Sequence, residues 1–216
     1  MKRICVALAA LAALALAGCG EEKPHNRGVY LLMDTSGTYT NELHKAQQII
    51  NAMLTRLDPG DSFAVARINT GSFTEKDIVA KITFDDRPSM ANKEKRQFRD
   101  TIGQFVKSVK PSRYTDITGG ILQASEFLNE KNTGRKTIVI FSDLAEDLKK
   151  GYVRDIALPL DGFDVVALNV TKLHSDNIDP REYLNRLADW QHKVEAGGGK
   201  WRVINDLDRL EKLLVK

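Results

Sequence analysis

From residue 28 onward, short apolar runs alternate with longer segments in which apolar residues recur every three or four positions. The short runs predict six β-strands, over residues 28–33, 62–68, 78–84, 135–141, 164–170 and 201–204. The longer segments predict five amphipathic helices, over residues 42–57, 89–109, 117–129, 180–196 and 207–215. This alternation predicts an α/β fold with a doubly wound, mostly parallel, Rossmann-like sheet and helices on both faces.

The character of the strands indicates where a ligand would bind. The runs 28–33, 135–141 and 164–170 are apolar on both faces, as central parallel strands are. The run 78–84 alternates only in part and predicts an antiparallel edge strand. In doubly wound sheets, ligands bind outside the carboxyl ends of the strands, where the strand order reverses. We therefore expect a site in the loops that follow the first and fourth strands.

Oxygen-bearing side chains cluster in these regions. The first strand ends in DTSGT, with Asp34, Ser36 and Thr38; Thr115 precedes the third helix in YTDITGG, and Asp143 follows the fourth strand. Carboxylates and hydroxyls suit a hard cation such as Mg²⁺, which typically uses one or two protein carboxylates. No His or Cys joins the set, which argues against zinc. The pattern predicts a divalent cation site, with Mg²⁺ preferred and Mn²⁺ or Ca²⁺ as alternatives.

The three elements together resemble a von Willebrand factor type A domain with its metal-ion-dependent adhesion site. The family motif is Asp-x-Ser-x-Ser in the first loop, Thr in the second and Asp in the third. Asp34, Ser36 and Thr38 match the first element, with Thr in place of the last Ser, while Thr115 and Asp143 match the others. The resemblance covers residues 28–216. It implies binding of a protein partner that offers an Asp or Glu to the metal, no catalysis, and a direct or water-mediated role for Asp143.

Two other functions remain open at this stage. A metal-dependent phosphohydrolase would use Asp34 as nucleophile, although Ser36 stands where a second carboxylate would act as acid and base. A metal-free scaffold would leave Asp34 and Asp143 as turn residues and Thr115 or Asp116 as a helix N-cap. Tyr39, which follows the first motif, either contacts a partner or packs under the loop.

The amino terminus predicts export and lipid anchoring. Residues 1–18 combine Lys2 and Arg3 with an uncharged run too short to span a membrane, and they read as a signal peptide. The run ends in LAGC, which resembles a bacterial lipobox, so Cys19 is the expected lipidation site. Residues 19–27 then form the lipidated cysteine and a tether, and residues 28–216 form the domain. We expect a membrane-anchored lipoprotein that faces the periplasm. Gly20, not Asp, follows Cys19, and the resemblance to enterobacterial lipoprotein sorting signals implies that the outer membrane is favoured.

The charge of the mature chain is close to neutral and gives no sign of a strongly basic protein. Without Lys2 and Arg3, the 32 basic residues fall to 30 against 29 acidic residues, so nucleic acid is not an expected partner. A local basic cluster is interleaved with Glu94 and Asp100, and the sequence alone favours a solvated helix face. This cluster consists of Lys93, Lys95, Arg96 and Arg99.

Overall fold

The computed structural model describes residues 25–37, 39–68 and 74–206. These residues form six strands: β1 (Arg27–Asp34), β2 (Ser62–Ile68), β3 (Ile78–Thr83), β4 (Arg135–Phe141), β5 (Phe163–Leu168) and β6 (Lys200–Ile204). They also form four α-helices: α1 (Leu43–Arg56), α2 (Pro88–Ser108), α3 (Ile117–Glu130) and α4 (Pro180–Ala196). None of these helices is both long enough and apolar enough to cross a membrane.

The strands form one sheet in the order β3-β2-β1-β4-β5-β6. All neighbours pair in parallel except β2 and β3, so the predicted antiparallel edge strand is confirmed. The chain leaves β1 for β2 on one side and returns to β4 on the other side. The strand order therefore reverses between β1 and β4, where Met33 pairs with Phe141.

The two faces of the sheet bury separate cores, because successive residues of a strand point to opposite sides. Val29, Leu31 and Met33 of β1 face one core, which includes residues of α1 and α2. Tyr30 and Leu32 face the other, which includes residues of α3 and α4. This arrangement confirms the doubly wound α/β fold.

The sequence-based element boundaries differ from the structure by only a few residues. Strand β5 ends at Leu168 rather than at residue 170, because Asn169 adopts a left-handed backbone conformation with φ of 52°. The predicted helix over residues 207–215 lies outside the described residues.

Helix α3 packs very close to β1. A Cβ atom added to Gly120 would lie 2.9 Å from Cδ2 of Leu32, so a larger residue would push the helix away from the strand. The helix begins two residues after Thr115. Its close packing therefore fixes the second loop relative to the first.

Candidate metal centre between the β1 and β4 loops

Asp34 is the last residue of β1, and it is fully buried. Its Oδ1 accepts a hydrogen bond of 2.8 Å from the backbone N–H of Ser36. Its Oδ2 accepts a hydrogen bond of 2.6 Å from the hydroxyl of Ser142. The carboxylate thus shapes its own turn and ties it to the loop after β4.

The loop after β4 has a constrained conformation. The hydroxyl of Ser142 accepts a 3.0 Å hydrogen bond from the N–H of Leu144, which has φ of 65°. Asp143 is buried, and its Oδ1 accepts a 2.9 Å hydrogen bond from the N–H of Ala145. Asp143 is therefore a turn residue, as the scaffold alternative expects. It also lines the pocket between the loops.

The loop that carries Thr115 is bonded to both of its neighbours. The N–H of Ser112 donates to the carbonyl of Thr35 at 2.8 Å, and the N–H of Gly37 donates to the carbonyl of Ser112 at 3.1 Å. Thr115 and Asp147 exchange two backbone hydrogen bonds of 2.8 and 3.0 Å. These bonds hold the second loop between the other two.

The three loops share one pocket of about 340 Å³. Ser36, Thr115 and Asp143 all contribute to its lining, so the structure brings together three of the five predicted ligands. The other lining residues are Gly37, Ser112, Arg113, Ala145, Asp147 and Leu173. Asp34 lies behind this surface and is bonded to Ser36. Thr38 and Cys19 lie outside the described residues.

The environment of Asp34 disfavours its ionised form. Burial raises its pKa from 3.8 to about 6, the hydrogen bonds from Ser142 and Ser36 oppose this increase, and the nearby charge of Asp143 adds to it. No Lys, Arg or His among the described residues forms an ion pair with Asp34. Arg113 lines the same pocket but forms no ion pair with Asp34. A buried carboxylate next to a second carboxylate, with no described cationic side chain paired to it, is an environment that a bound cation would stabilise.

The oxygen atoms that the three loops offer are suited to a hard cation and not to a soft one. The described residues contain no group of three or more His, Cys, Asp and Glu side chains that could hold a metal. A site here would therefore combine the two carboxylates with hydroxyl oxygens and water. Mg²⁺, Mn²⁺ and Ca²⁺ accept such ligands, whereas zinc sites mostly use nitrogen and sulfur.

An ion pair between Asp116, which the sequence offers as an N-cap, and Arg154, which it does not signal, supports the second loop. Asp116 is fully buried; it caps α3 by accepting a 2.8 Å hydrogen bond from the N–H of Gly119. It also accepts two hydrogen bonds from Arg154, of 3.1 and 2.6 Å. The N-cap interpretation thus applies to Asp116 and not to Thr115. No spacing in the sequence links position 154 to position 116.

Helix α4 supports the loop after β4. Arg186 donates from Nε to the carbonyl of Asp143 at 2.9 Å, while its other guanidinium nitrogens bond Asp176 at 3.1 and 2.7 Å. Trp190 donates from Nε1 to the carbonyl of Leu144 at 3.0 Å. Trp190 is also buried in the core, and no pattern in the sequence signals these carbonyl bonds.

Tyr39 packs beneath the site and is fully buried. Its hydroxyl donates to the carbonyl of Asn169 at 2.6 Å and accepts from the amide nitrogen of the same residue at 2.9 Å. Its ring meets Phe141 edge-on, with the centroids 5.1 Å apart. Of the two roles considered from the sequence, the structure supports packing under the loop.

Comparison with known proteins agrees with this geometry. The family model for the von Willebrand factor type A domain matches residues 29–146, more than half of the chain. The chain belongs to this family. Type A domains usually serve adhesion or interaction rather than catalysis. A search of curated proteins returns no match.

Solved structures of type A domains share the fold at low sequence identity. A von Willebrand factor type A protein from Catenulispora acidiphila has a TM-score of 0.56 and 16% identity, with 88% of this chain and 41% of that chain covered. An aerotolerance-related membrane protein from Bacteroides fragilis, with multiple mutations to serine, has a TM-score of 0.51 and 18% identity over 87% and 96%. The manganese-loaded TRAP protein of Plasmodium vivax has a TM-score of 0.50 and 15% identity over 87% and 71%.

Proposed function

We propose that this type A domain binds a protein partner through a divalent cation held at the carboxyl ends of β1 and β4. Asp34, Ser36, Thr38, Thr115 and Asp143 are the proposed ligands, directly or through water. One observation carries the proposal: Asp34 is fully buried beside Asp143, and no cationic side chain among the described residues pairs with it. Mg²⁺ is the preferred ion, with Mn²⁺ and Ca²⁺ as alternatives.

The ligand chemistry favours a carboxylate from outside the chain. Because hydroxyl ligands are neutral, they leave more of the charge of the cation uncompensated than carboxylate ligands do. An Asp or Glu of a partner would complete the coordination and neutralise that charge. The pocket lined by Ser36, Thr115 and Asp143 gives such a side chain access. The manganese-loaded state of the Plasmodium vivax relative supports the choice of a divalent cation.

The phosphohydrolase alternative fits this geometry less well. A nucleophilic carboxylate must reach the phosphorus atom of its substrate, whereas Asp34 is fully buried with both oxygens engaged by Ser36 and Ser142. Ser36 also cannot replace a carboxyl group as acid and base. Turnover of a phosphate ester in the presence of Mg²⁺ or Mn²⁺, abolished by Asp34→Ala, would contradict the binding function.

We further propose that the chain is a periplasm-facing lipoprotein anchored through Cys19. The basic start, the uncharged run and the LAGC sequence of residues 1–19 support this proposal. Because Arg27 belongs to β1, the tether comprises residues 20–26 and would extend at most about 25 Å. Strand β1 begins at Arg27 and ends at Asp34, so the metal site would lie at the end of the sheet away from the anchor.

The partner proposal is tested by crosslinking in intact cells, followed by affinity purification from solubilised membranes. We expect a partner that is captured by the wild-type chain, lost with a chelator and lost in Asp34→Ala. Asp155→Ala removes an exposed carboxylate of the β4–β5 segment and is the matched control. Equal capture by the wild type, Asp34→Ala and Asp155→Ala would contradict metal-dependent binding.

A further inference from the structure

Three residues of the basic cluster that is interleaved with acids in the sequence meet in a groove of the structure. Lys95 and Arg96 lie four and three residues before Arg99, so the three cations share one face of α2 and line a groove of about 550 Å³ against α1. The lining from α2 consists of Asn92, Lys95, Arg96 and Arg99, and the lining from α1 consists of Asn51, Leu54 and Thr55. Among the residues that the structure describes, no acidic side chain lines this groove, which we call the α1–α2 groove.

The two neighbouring acids form contacts that leave the cations of the α1–α2 groove accessible. Oε2 of Glu94 accepts a hydrogen bond of 2.9 Å from the N–H of Asp85. Asp100 forms an ion pair of 2.9 Å with Arg99, in which both side chains are more than half exposed. Such exposed pairs contribute little to stability, so an anion can compete for the guanidinium group. The groove thus has positive charge that the linear sequence conceals.

The cations of the groove differ in how firmly they are held. Lys95 donates to the carbonyl of Leu57, and its Nζ lies 5.6 Å from the ring centroid of Phe84, so the ammonium group has a fixed position. An ammonium group has three N–H donors, so further donors of Lys95 remain for a ligand. The side chain of Arg96 is exposed and forms no hydrogen bond or ion pair with any residue that the structure describes. Together they provide one fixed and one adaptable cation.

Asn51, which lines the α1–α2 groove, carries a buried acceptor. Oδ1 of Asn51 is buried and has no hydrogen-bond donor among the described residues. A ligand that pairs with the cations of the groove and also bonds Oδ1 of Asn51 needs an anionic group and a hydrogen-bond donor such as a hydroxyl group. A glycerol phosphate group carries both, since its phosphate accepts bidentate bonds from arginine.

The position of the groove indicates the source of such a ligand. Lys95 is bonded to Leu57, and the adjacent Arg56 accepts a 2.6 Å hydrogen bond from Arg27, the first residue of β1. The α1–α2 groove thus lies toward the end of the sheet where the chain enters, and the metal site lies at the other end. We propose that this groove binds the glycerol phosphate headgroup of an anionic phospholipid. The choice of a lipid over a soluble ester rests on the proposed anchor at Cys19.

The test uses the purified mature chain in non-ionic detergent micelles, titrated calorimetrically with dihexanoyl phosphatidylglycerol. We expect saturable binding, and binding of dihexanoyl phosphatidylcholine that is at least about tenfold weaker. The double variant Arg96→Gln/Arg99→Gln should bind phosphatidylglycerol about tenfold to thirtyfold more weakly, since each basic residue near an anionic lipid surface contributes roughly one factor of five. The variant Lys149→Gln/Lys150→Gln changes the net charge equally at exposed positions and should bind like the wild type.

Three results would overturn the proposal. Equal affinity for the two lipids would show that headgroup charge is not recognised, and equal losses in the two double variants would show a response to net charge alone. Binding of sn-glycerol 3-phosphate in solution without binding of phosphatidylglycerol would indicate a soluble ligand instead. Mass spectrometry of the amino terminus reports the lipid on Cys19 separately, and titration with Mg²⁺ reports the metal site separately.

Discussion

The hydroxyl of Ser142 donates a 2.6 Å hydrogen bond to Oδ2 of Asp34, and this bond joins the loops after two neighbouring strands. The two residues are 108 positions apart in the chain. The bond keeps a buried carboxylate in place at the strand-order reversal, and it favours the ionised form that a cation requires.

Ser142→Ala should therefore weaken both the fold and the metal site. Removal of a hydrogen bond to a buried charged group costs about 2 kcal/mol in the free energy of unfolding. The pKa of Asp34 should rise further above 6, because a bond that lowers it is lost. Urea denaturation measures the stability and metal titration measures the affinity. Ser108→Ala, at an exposed hydroxyl at the end of α2, is the control and should change neither.

The raised pKa of Asp34 predicts opposite pH dependences for stability and for metal binding. The folded state holds the proton up to about pH 6, whereas the unfolded state releases it near 3.8. The metal-free domain should therefore lose up to about 3 kcal/mol of stability from Asp34 as the pH rises through this window. Metal affinity should fall about tenfold for each pH unit below 6, because a proton competes for the same carboxylate.

This dependence begins at a higher pH than an ordinary aspartate would give. The sequence alone predicts a loss of affinity toward about pH 4, the usual range of the carboxyl group. Burial of Asp34, which only the structure shows, moves the midpoint upward. Denaturation at several pH values, with Asp34→Asn as a variant that lacks the titration, measures this contribution. An Asp34→Asn domain that keeps the same pH dependence between 4 and 6 would contradict the assignment.

The buried ion pair between Arg154 and Asp116 should support the loop that carries Thr115. Arg154→Ala leaves a buried carboxylate without its partner, which typically costs about 3 to 5 kcal/mol. The additional substitution Asp116→Asn removes that charge and keeps an N-cap acceptor, so it should restore part of the loss. A double-mutant cycle in urea measures the coupling. Strictly additive effects of the two substitutions would show that the pair does not act as a unit.

Trp190→Phe should weaken metal binding from a distance. The substitution keeps an aromatic ring in the core but removes the donor to the carbonyl of Leu144, at a cost of about 1 kcal/mol. Because this bond holds the residue after Asp143, we expect metal affinity to fall about fivefold while the fold persists. The comparison is Trp201→Phe on β6, which should not affect the metal. Equal metal affinity in the two variants would contradict the supporting role of α4.

The sequence determines much of the fold because its signals are local. The apolar runs of β1 and β4 are continuous, the amphipathic helices have clear stripes, and DTSGT follows directly after a strand. The order of these elements then places Asp34 and Asp143 at one edge of the sheet. The supporting bonds of Arg154, Arg186 and Trp190 depend on side-chain directions between elements distant in sequence, and no periodicity encodes them. The burial that raises the pKa of Asp34 likewise depends on contacts between elements distant in sequence.

The distribution of charge on α2 also could not be predicted from the sequence alone. The acids at positions 94 and 100 offset two of the four basic charges in the sequence, yet they do not line the α1–α2 groove. Glu94 instead contacts the backbone of Asp85, and Asp100 pairs with Arg99 in an exposed ion pair. Only the pairing of α1 with α2 reveals that the cations share a cavity with Asn51.

Calorimetric titration of the mature chain with Mg²⁺ and Mn²⁺ tests the central claim most directly. The proposed site predicts one ion bound per chain in the wild type and in the control Asp155→Ala. It predicts an affinity at least about a hundredfold lower in Asp34→Ala, since removal of a charged ligand costs about 3 kcal/mol or more. Absence of binding in the wild type, or equal binding in Asp34→Ala, would contradict a metal centre between the β1 and β4 loops.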